Sequence, residues 1–338
     1  MFKKHIEKSK EYAILKTIHL EASDVNFSAQ EKQTILEAAL ANDINLEYSC
    51  SNGRCGKCKA QLIKGTVDHI DSSFCEALSE NEILTCRSIP SEDLIIKANY
   101  FPELAHIKRK TLPSKVDSFS LVSPDVITLV LRIPETANFD FLSGQYIDLT
   151  LRGSKRSYSI ASARVLDNKF ELHIKKVENG LFSNFLFSDL KVGQLIRFHG
   201  PLGTFFLKDN KSPIIFLCTG TGFAPVKSII ENLIESGSTR GAYIYWGGRT
   251  AEDLYSSLPE EWAQQYKHIK YIPVLSRAAA KAKVKYVQNV VIEHHQNLSE
   301  FEVYACGSEN MIQDAKQLLI SNGLKSENFY SDAFVPSD

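Results

Sequence analysis

The sequence predicts three domains: a small α+β unit, an antiparallel β-barrel and an α/β domain built on a parallel sheet. The 338 residues suit two or three domains, at about 100–200 residues each. Short β-branched segments fill the middle of the chain, and strands alternate with helices after residue 213. We therefore expect a multidomain fold divided into 1–98, a linker over 99–112, 113–208 and 209–338.

Composition excludes several classes of protein. With 43% hydrophobic and 23% charged residues, the chain is not a disordered protein. Lys and Arg number 39 against 40 Asp and Glu, and this balance gives no general attraction to nucleic acid or to an anionic membrane. The longest apolar run is 214–218, and no apolar signal segment follows the basic N-terminus. We expect a cytoplasmic protein with no nucleic-acid partner and no membrane span.

The first domain combines short strand-like runs with one helix. The helix is predicted over 31–42, where Ile35, Leu36, Ala39 and Leu40 share a face. The strand-like runs are Ala13-Ile-Leu, Ala60-Gln-Leu-Ile and Leu94-Ile-Ile. Two prolines and a basic run without periodicity follow in 99–114, and this composition predicts the linker.

The second and third domains differ in their patterns. Between 113 and 208, Pro and Gly separate short β-branched runs at intervals that suit an antiparallel barrel. From 213 onward a buried strand over 214–218 precedes a helix with an apolar stripe at Val226, Ile229, Ile230, Leu233 and Ile234. The later strands are predicted over 242–246, 269–275 and 303–306, and a last helix over 309–322. This alternation indicates a parallel sheet.

Seven cysteines are the most informative residues, because five of them fall within one 37-residue stretch. Cys50, Cys55 and Cys58 form a C-x4-C-x2-C loop, and Cys86 follows after 27 intervening residues. Clustered thiols in a reducing compartment serve metal or redox chemistry more often than disulfides. Two glycines let the loop fold tightly enough for its N–H groups to face a cluster. The spacing favours a [2Fe–2S] cluster over zinc, whose loops usually pair two C-x2-C arms.

The fourth cluster ligand is either Cys75 or Cys86. Cys75 lies in a polar stretch, whereas Cys86 ends an apolar run, and a ligand needs a rigid, partly buried platform. We expect Cys86 to bind the metal and Cys75 to be a free thiol. Together with Glu47-Tyr48-Ser49 before the loop, this pattern resembles the plant-type ferredoxin domain over residues 12–97. The resemblance implies a β-grasp fold.

The segment Arg156-Ser157-Tyr158-Ser159 follows the strand that ends at Leu151. FAD needs a cation at its pyrophosphate, an aromatic ring against the isoalloxazine and a small hydroxyl near N5. Arg156, Tyr158 and Ser159 supply these groups, since alternation along a strand puts Arg156 and Tyr158 on one face. Alone, the segment fits equally a barrel strand with a surface Arg and a core Tyr.

A second motif, Gly180-Leu-Phe-Ser183, opens a short helix predicted over 182–187 and can present N–H groups to a pyrophosphate. The two motifs at this spacing resemble the flavin domain of the ferredoxin–NADP reductase superfamily. We expect Gly180 and Ser183 to bind FAD. We also expect His173 and Lys175 to line its ribityl or adenine side, with a solvated strand residue as the alternative for each.

The segment Thr219-Gly-Thr-Gly-Phe-Ala-Pro225 lies between the buried strand and the striped helix. Gly220 and Gly222 allow close approach of the backbone to a pyrophosphate at the helix N-terminus, and Pro225 suits the first turn. With Thr221, these residues predict a nicotinamide dinucleotide site, because the strand–loop–helix context is present. Pro225 replaces the third glycine of the dehydrogenase fingerprint, and this departure resembles the nicotinamide domain of the same superfamily.

Two further segments resemble that superfamily. Cys306-Gly307-Ser308 ends a later strand, and the resemblance implies that Cys306 lies near nicotinamide C4 with Gly307 at the cofactor. The tail Ser331-Asp-Ala-Phe334 is similar to the superfamily's ending, in which an aromatic residue often packs near the flavin. An ordinary core thiol is the alternative for Cys306 and our expectation for Cys218.

The choice between NADH and NADPH depends on two strand ends. The strand 242–246 leads into Gly247-Gly248-Arg249 with no acid at its tip to hold a ribose 2′-hydroxyl, and Ser276-Arg277 ends the next strand. Either arginine can meet a 2′-phosphate, which slightly favours NADPH. The family resemblance given next favours NADH, which we expect, with NADPH as the alternative.

Three cofactors on one chain form an electron path. A nicotinamide gives two electrons as hydride, a [2Fe–2S] cluster takes one at a time, and a flavin does both. We expect hydride to pass to FAD beside Ser159 and Cys306, and single electrons to leave through the cluster. The domain order is that of iron–sulfur flavoprotein reductases.

Almost the whole chain resembles the CDP-6-deoxy-Δ3,4-glucoseen reductase family, including the linker 99–107, the stretch 171–180 and the tail 331–337. The resemblance implies NADH, FAD and electron transfer to a pyridoxamine-phosphate-dependent dehydrase of 3,6-dideoxyhexose synthesis. The alternatives are the reductase component of an aromatic-ring or alkyl oxygenase and, in another class, a redox-sensing cluster protein.

Basic residues surround the cluster loop in the sequence: Arg54, Lys57, Lys59 and Lys64. With little acid nearby in the sequence, they predict that an acidic acceptor enzyme docks near the loop. An ordinary solvated basic face is the alternative.

Overall fold

The structure is a computed structural model that describes residues 15–21, 23–71, 78–151, 153–178, 180–277 and 285–334. The chain divides into two compact units, Met1–Ala105 and His106–Asp338, each with most of its contacts within itself. The division lies inside the predicted linker 99–112. None of the helices in the described ranges is both long enough and apolar enough to cross a membrane.

The first unit is a mixed sheet with one helix and a separate two-stranded ribbon. Its elements are β1 (Lys16–Leu20), β2 (Asn26–Ala29), α1 (Ile35–Ala41), β3 (Lys59–Lys64), β4 (Val67–His69), β5 (Glu82–Leu84), β6 (Ser88–Pro90) and β7 (Leu94–Lys97). The sheet order is β2-β1-β7-β3-β5, in which β1 and β7 run parallel and the other neighbours antiparallel, and β4 pairs with β6. The predicted α+β, β-grasp fold is confirmed.

Helix α1 is shorter than the predicted range 31–42. Thr34 caps it: the Glu37 N–H donates to Thr34 Oγ1 at 3.1 Å, and the Thr34 N–H donates to the Glu37 carboxylate at 2.9 Å. Lys32 has φ of 63°, which a right-handed helix excludes. The helix therefore starts at this reciprocal cap, and its apolar face is buried from the first turn.

The second unit begins with a six-stranded curled antiparallel sheet. Its elements are β8 (Lys110–Ser123), β9 (Val126–Arg132), β10 (Tyr146–Leu151), β11 (Ser154–Ser159), β12 (Lys169–Lys175), α2 (Leu181–Ser188) and β13 (Leu195–Leu202). The order is β11-β10-β13-β8-β9-β12, and a bridge between Ile160 and Leu172 joins the two ends into a barrel. Strand β8 starts inside the predicted linker, because Lys110 to Lys115 pair with β13.

A parallel five-stranded sheet completes the second unit. Its elements are β14 (Ile214–Thr219), α3 (Phe223–Glu235), β15 (Ala242–Gly248), α4 (Leu258–Gln265), β16 (Ile269–Leu275), α5 (Val287–His294), β17 (Glu302–Gly307), α6 (Glu309–Ser321) and β18 (Phe329–Ala333). The five strands are parallel and lie in the order β16-β15-β14-β17-β18. From β14 the chain adds β15 and β16 on one side and then β17 and β18 on the other, so the order of strands reverses between β14 and β17. In such sheets ligands bind at the carboxyl ends of the strands beside this reversal.

Candidate functional site

The four predicted cluster ligands lie as two pairs of sulfur atoms. Cys58 and Cys86 are both buried, and their Sγ atoms are 3.1 Å apart. The Cys55 backbone N–H donates to Cys50 Sγ at 3.4 Å. Among the described residues, no three His, Cys, Asp or Glu side chains surround a position for a single metal ion. Two thiol pairs are the arrangement that a two-iron cluster with four cysteine ligands requires.

One thiol of each pair has a lowered pKa, which favours the thiolate, the form of cysteine that binds metal. A hydrogen bond from the Cys55 thiol, together with backbone N–H groups of the loop, holds the pKa of Cys50 at about 5. The Cys86 thiol likewise lowers the pKa of Cys58, while the pKa values of Cys55 and Cys86 are raised. Each pair therefore carries one sulfur prepared for ionisation, and the loop fits an iron–sulfur cluster.

The basic residues around the loop are partly neutralised. Lys57 Nζ lies 3.5 Å from a Glu47 carboxylate oxygen, and Lys59 Nζ lies 3.2 Å from a Glu82 carboxylate oxygen. The prediction of little acid nearby is wrong, because Glu47 just before the loop and Glu82 on β5 supply these carboxylates. Arg54 and Lys64 are exposed. Cys75, predicted to be a free thiol, lies outside the described residues.

The predicted flavin residues lie on β11, at one end of the curled sheet. Arg156 and Tyr158 are two residues apart on this strand, and Ser159 at its end is 5% exposed. The Tyr158 ring lies 5.9 Å from the Phe182 ring at the start of α2. Burial raises the pKa of Tyr158, so its phenol stays neutral. A cation, an aromatic ring and a hydroxyl follow one another along this strand, an order that fits FAD.

The turn before α2 is held by its own polar groups. Ser183 Oγ accepts the Val177 N–H at 3.1 Å and lies 2.9 Å from the Val177 carbonyl oxygen. A Cβ at Gly180 would come within 2.8 Å of Ser183 Oγ, so a side chain there would displace the Ser183 hydroxyl. Ser183 thus shapes the turn, and α2 begins directly after Gly180, where its first N–H groups can face a phosphate.

His173 and Lys175 differ from each other in their surroundings, and their predicted place beside FAD stays a prediction. His173 is buried, with Nε2 2.7 Å from the Glu171 carboxylate and Nδ1 2.9 Å from the Tyr255 hydroxyl. Lys175 lies 3.1 Å from an Asp125 carboxylate oxygen and lines the cleft at the parallel sheet. Both side chains of β12 therefore lie next to residues of the third domain.

A cleft of about 610 Å³ lies at the carboxyl ends of the parallel strands. Its lining includes Gly220 and Thr221 from the loop after β14, Gly307 from β17, and Phe334. The Phe334 N–H donates to the Gly307 carbonyl oxygen at 2.8 Å. The glycine loop, the last residue of β17 and the C-terminal aromatic ring therefore meet in one cleft, where a dinucleotide fits.

Backbone segments approach each other closely beside this cleft. A Cβ at Gly222 would overlap the Cys306 carbonyl oxygen, and one at Gly307 would overlap Thr219 Oγ1. Trp246 stacks on Phe223 at 4.2 Å and donates from Nε1 to the Gly220 carbonyl oxygen at 3.1 Å. The glycine loop is thus held against β17 on one side and against an indole ring on the other. Pro225 lies buried in the first turn of α3.

Cys306 is fully buried behind the glycine loop. Burial raises the pKa of its thiol well above the ordinary value, and the same holds for Cys218 in the neighbouring strand. Both side chains belong to the core between the sheet and α3. Cys306 is therefore a neutral thiol, and its contact with the nicotinamide stays a prediction.

An acidic residue that was not predicted as part of the site lies near the end of β15. Asp253 lines the cleft, and its carboxylate accepts the N–H groups of Arg249 at 2.7 Å and Thr250 at 3.0 Å. The strand tip Gly247-Gly248-Arg249 itself has no acid, but this carboxylate, five residues after β15, reaches the cleft. Thr250 to Asp253 has the spacing of a helix-capping pair, and that spacing was the available signal.

Three protein families match successive parts of the chain. They are described as a 2Fe-2S iron-sulfur cluster binding domain over residues 18–91, an oxidoreductase FAD-binding domain over 113–207, and an oxidoreductase NAD-binding domain over 216–317. These matches support the three predicted cofactors and the three predicted domain types.

Whole-length relatives have the same domain order. The CDP-6-deoxy-L-threo-D-glycero-4-hexulose-3-dehydrase reductase of Yersinia pseudotuberculosis serotype I (strain IP32953) is 46% identical over 95% of this chain and 98% of that protein. A terephthalate 1,2-dioxygenase reductase component of Comamonas sp is 33% identical over 95% of this chain and 97% of that protein.

A solved structure, the Amycolatopsis cytochrome P450 reductase GcoB, has the same fold. It matches with a TM-score of 0.79 at 24% identity over 95% of this chain and 99% of that one. The three family matches cover the parts of the chain that contain the cluster loop, the flavin strand and the glycine loop of the cleft. The chain belongs to the family of iron–sulfur flavoprotein reductases, NAD(P)H-dependent oxidoreductases with a 2Fe-2S domain, an FAD-binding domain and an NAD-binding domain.

Proposed function

We propose that this chain oxidises NADH and passes the electrons to a pyridoxamine-phosphate-dependent dehydrase that acts on a CDP-6-deoxyhexulose. The name of the relative that is 46% identical carries the choice of acceptor, because it describes a reductase of a CDP-6-deoxyhexulose 3-dehydrase. The likeness covers 95% of the chain and therefore reaches all three domains. The proposal assigns the chain to the cytoplasm, where thiolates stay reduced and bind iron.

Each cofactor site has its own residues in this proposal. Bound NADH supplies a hydride, FAD accepts the electron pair and releases single electrons, and the cluster conducts them outward. Arg156 neutralises the FAD pyrophosphate, Tyr158 packs against the isoalloxazine, and Ser159 offers its hydroxyl near N5. Gly220, Thr221 and Gly222 bind the dinucleotide phosphates. The cluster is held by Cys50, Cys55, Cys58 and Cys86.

NADH is the nicotinamide cofactor that the charges of the cleft favour. Asp253 brings a carboxylate to the end of β15, a position from which an acid can accept a ribose 2′-hydroxyl but repels a 2′-phosphate. Lys285, which also lines the cleft, has its Nζ 2.8 Å from a Glu293 carboxylate oxygen. Asp253 thus adds a negative charge beside Arg249 in the cleft, and Glu293 offsets the charge of Lys285.

An oxygenase reductase is the second candidate function. The reductase component that is 33% identical over nearly the whole chain supports it, since it has the same three domains and serves a dioxygenase. The two functions share all the chemistry up to the cluster and differ only in the acceptor. The rate of electron transfer from the purified, NADH-reduced chain to each acceptor, measured under anaerobic conditions, distinguishes the two functions. We expect rapid transfer to the dehydrase with its substrate and slow transfer to an oxygenase component.

The internal electron path is tested by removing one cluster ligand. We expect the Cys55→Ser variant to keep NADH-dependent reduction of ferricyanide, which accepts electrons from flavin, and to lose reduction of cytochrome c. A variant that still reduces cytochrome c at the normal rate would contradict an exit through the cluster. A wild-type chain that reduces neither acceptor with NADH would instead favour a redox sensor.

A further inference from the structure

A buried polar seam joins helix α3 to the barrel within the second unit. Lys227 is only 8% exposed, and its Nζ donates to the Ala161 carbonyl oxygen at 3.0 Å. Two carboxylates balance the ammonium charge, Glu231 at 2.8 Å and Glu171 at 3.5 Å. Lys227 thus bonds across two domains, and neither the apolar stripe of α3 nor any cofactor motif requires it.

The next residue of the helix repeats this contact. Ser228 is fully buried, and its hydroxyl donates to the Ser162 carbonyl oxygen at 2.6 Å. Two turns further along, Glu235 pairs with Arg164 at 2.7 Å. Successive residues of α3 therefore hold successive residues of the segment that follows β11, so the helix cannot slide along the barrel without breaking several bonds.

Strand β12 supplies the other side of the seam. The Ala161 N–H donates to the Glu171 carbonyl oxygen at 2.8 Å, so the backbone gripped by Lys227 is also paired with β12. The Glu171 carboxylate accepts from His173, whose other nitrogen meets the Tyr255 hydroxyl. Burial disfavours the Glu171 charge, but the bonds from His173 and Lys227 lower its pKa, so the carboxylate stays ionised.

The seam connects the two elements that carry the reacting cofactors. Lys227 lies five residues after Gly222 on the helix that starts at the dinucleotide loop. Ala161 lies two residues after Ser159, the hydroxyl assigned to flavin N5. A buried ion pair adds little net stability compared with apolar packing, but it can hold the two elements that it joins in one relative geometry. Hydride transfer needs such geometry, since reacting atoms must lie about 3–3.5 Å apart.

We propose that Lys227 is a positioning residue for hydride transfer, and that it fixes the dinucleotide loop relative to the flavin strand through the Ala161 carbonyl. This inference rests on the proposed transfer from NADH to FAD. Lys227 touches neither reacting atom in this assignment. It acts through α3, and its removal lets the helix shift against β11 while both binding motifs stay intact.

The Lys227→Met variant tests this assignment, because methionine keeps the length and apolar stem but removes the charge. In stopped-flow measurements on the FAD-loaded enzyme we expect the limiting rate of flavin reduction to fall at least ten-fold. This loss is expected because an error of about 1 Å in the position of the reacting atoms slows chemistry about 100-fold. The apparent Kd for NADH should stay within about two-fold of wild type, because both binding motifs stay intact. Lys227→Arg should recover part of the rate.

Two further readouts separate positioning from general damage. The long-wavelength absorption of the NADH–flavin complex should weaken in Lys227→Met. In protein without nicotinamide, hydrogen exchange should rise in α3 and in residues 161–164. The matched control is Lys270→Met, an exposed lysine on β16, which should behave as wild type in every measurement. A Lys227→Met variant with the wild-type limiting rate overturns the proposal, as does a variant in which only the Kd for NADH changes.

If Lys227→Met fails to fold or to retain FAD, Ser228→Ala decides the question. This variant removes one bond of the same seam from a small side chain, and we expect about a three-fold lower limiting rate with normal FAD content. A wild-type rate in Ser228→Ala then overturns the proposal. A wild-type enzyme that does not reduce FAD with NADH at all contradicts the proposed function instead, so the two failures are distinguishable.

Discussion

The assignment of cluster ligands depends on one choice between two thiols. Cys86 lies 3.1 Å from Cys58 in the buried pair, and we therefore expect Cys86→Ser to lose the [2Fe–2S] cluster. Cys75→Ser should retain two irons and two sulfides per chain, with the visible absorption of the wild type. Iron and sulfide analysis of both variants measures this. A Cys75→Ser variant without iron, next to a Cys86→Ser variant that keeps it, would reverse the assignment.

The surroundings of His173 predict how stability depends on pH. Burial lowers the pKa of this histidine below its ordinary 6.5, although Glu171 opposes the shift. A lowered pKa means that the unfolded chain binds the proton more tightly, so this contribution to stability is complete above pH 6.5 and declines as the pH falls below it. We expect the free energy of unfolding of the second unit to fall between pH 7.5 and 5.5.

The matched variant for this prediction is His173→Gln, which keeps a donor and an acceptor but cannot titrate. Its unfolding free energy should fall less steeply over the same pH range, as measured by urea denaturation. The comparison with wild type is needed because Glu231 has a raised pKa and acts in the opposite direction. Identical slopes for the two proteins would contradict a neutral buried His173.

At the scale of elements, the contact between the glycine loop and β17 determines how closely a dinucleotide can approach. A methyl group at Gly222 would overlap the Cys306 carbonyl oxygen, which is backbone and cannot rotate away. We expect Gly222→Ala to destabilise the chain by about 1–3 kcal/mol. It should also raise the Kd for NADH about ten-fold, since 1.4 kcal/mol is a factor of ten. Titration of FAD-loaded protein with NADH and thermal unfolding measure the two effects.

Gly241→Ala provides the control for this variant. The nearest atom to a Cβ at Gly241 is 3.5 Å away, an ordinary contact, and the residue lies in the same domain before β15. We expect normal NADH affinity and a change in stability below about 1 kcal/mol, as for other substitutions away from special features. Equal effects of the two alanines would show that the space at Gly222 does not limit binding.

Elements with local signals were predictable from the sequence, and contacts between domains were not. The glycine loop, β14 and α3 combine a turn motif with strong periodicity, so both their type and their order were expected. Helices α4 and α5 have eight residues each, too few for a long apolar stripe, and they were not predicted from the sequence. The burial of Lys227 was not predicted, because the Ala161 carbonyl oxygen that accepts its hydrogen bond lies 66 residues earlier in the chain. Long-range partners of this kind leave no periodic signal.

For the whole molecule, the net charge of −1 conceals an uneven distribution of charge around the cluster loop. Arg54 is exposed within the loop itself, between Cys50 and Cys55, and Lys59 is exposed at the start of β3, directly after Cys58. Both cations therefore lie beside cluster ligands in the sequence. If an acidic surface of the acceptor enzyme docks at the loop, both should contribute to the encounter.

Charge reversal tests this docking surface. We expect Arg54→Glu to lower the rate of electron delivery to the acceptor enzyme about three- to ten-fold at low salt, because steering by charge acts mainly on association. Lys59→Glu should lower the rate of delivery as well, and NADH-dependent reduction of ferricyanide should be normal in both variants. Raising the ionic strength should slow the wild type and bring the three proteins together, since about 0.15 M salt screens charges beyond about 8 Å. A wild-type rate of delivery that is independent of salt, with Arg54→Glu equal to it, would mean that the acceptor docks on another surface.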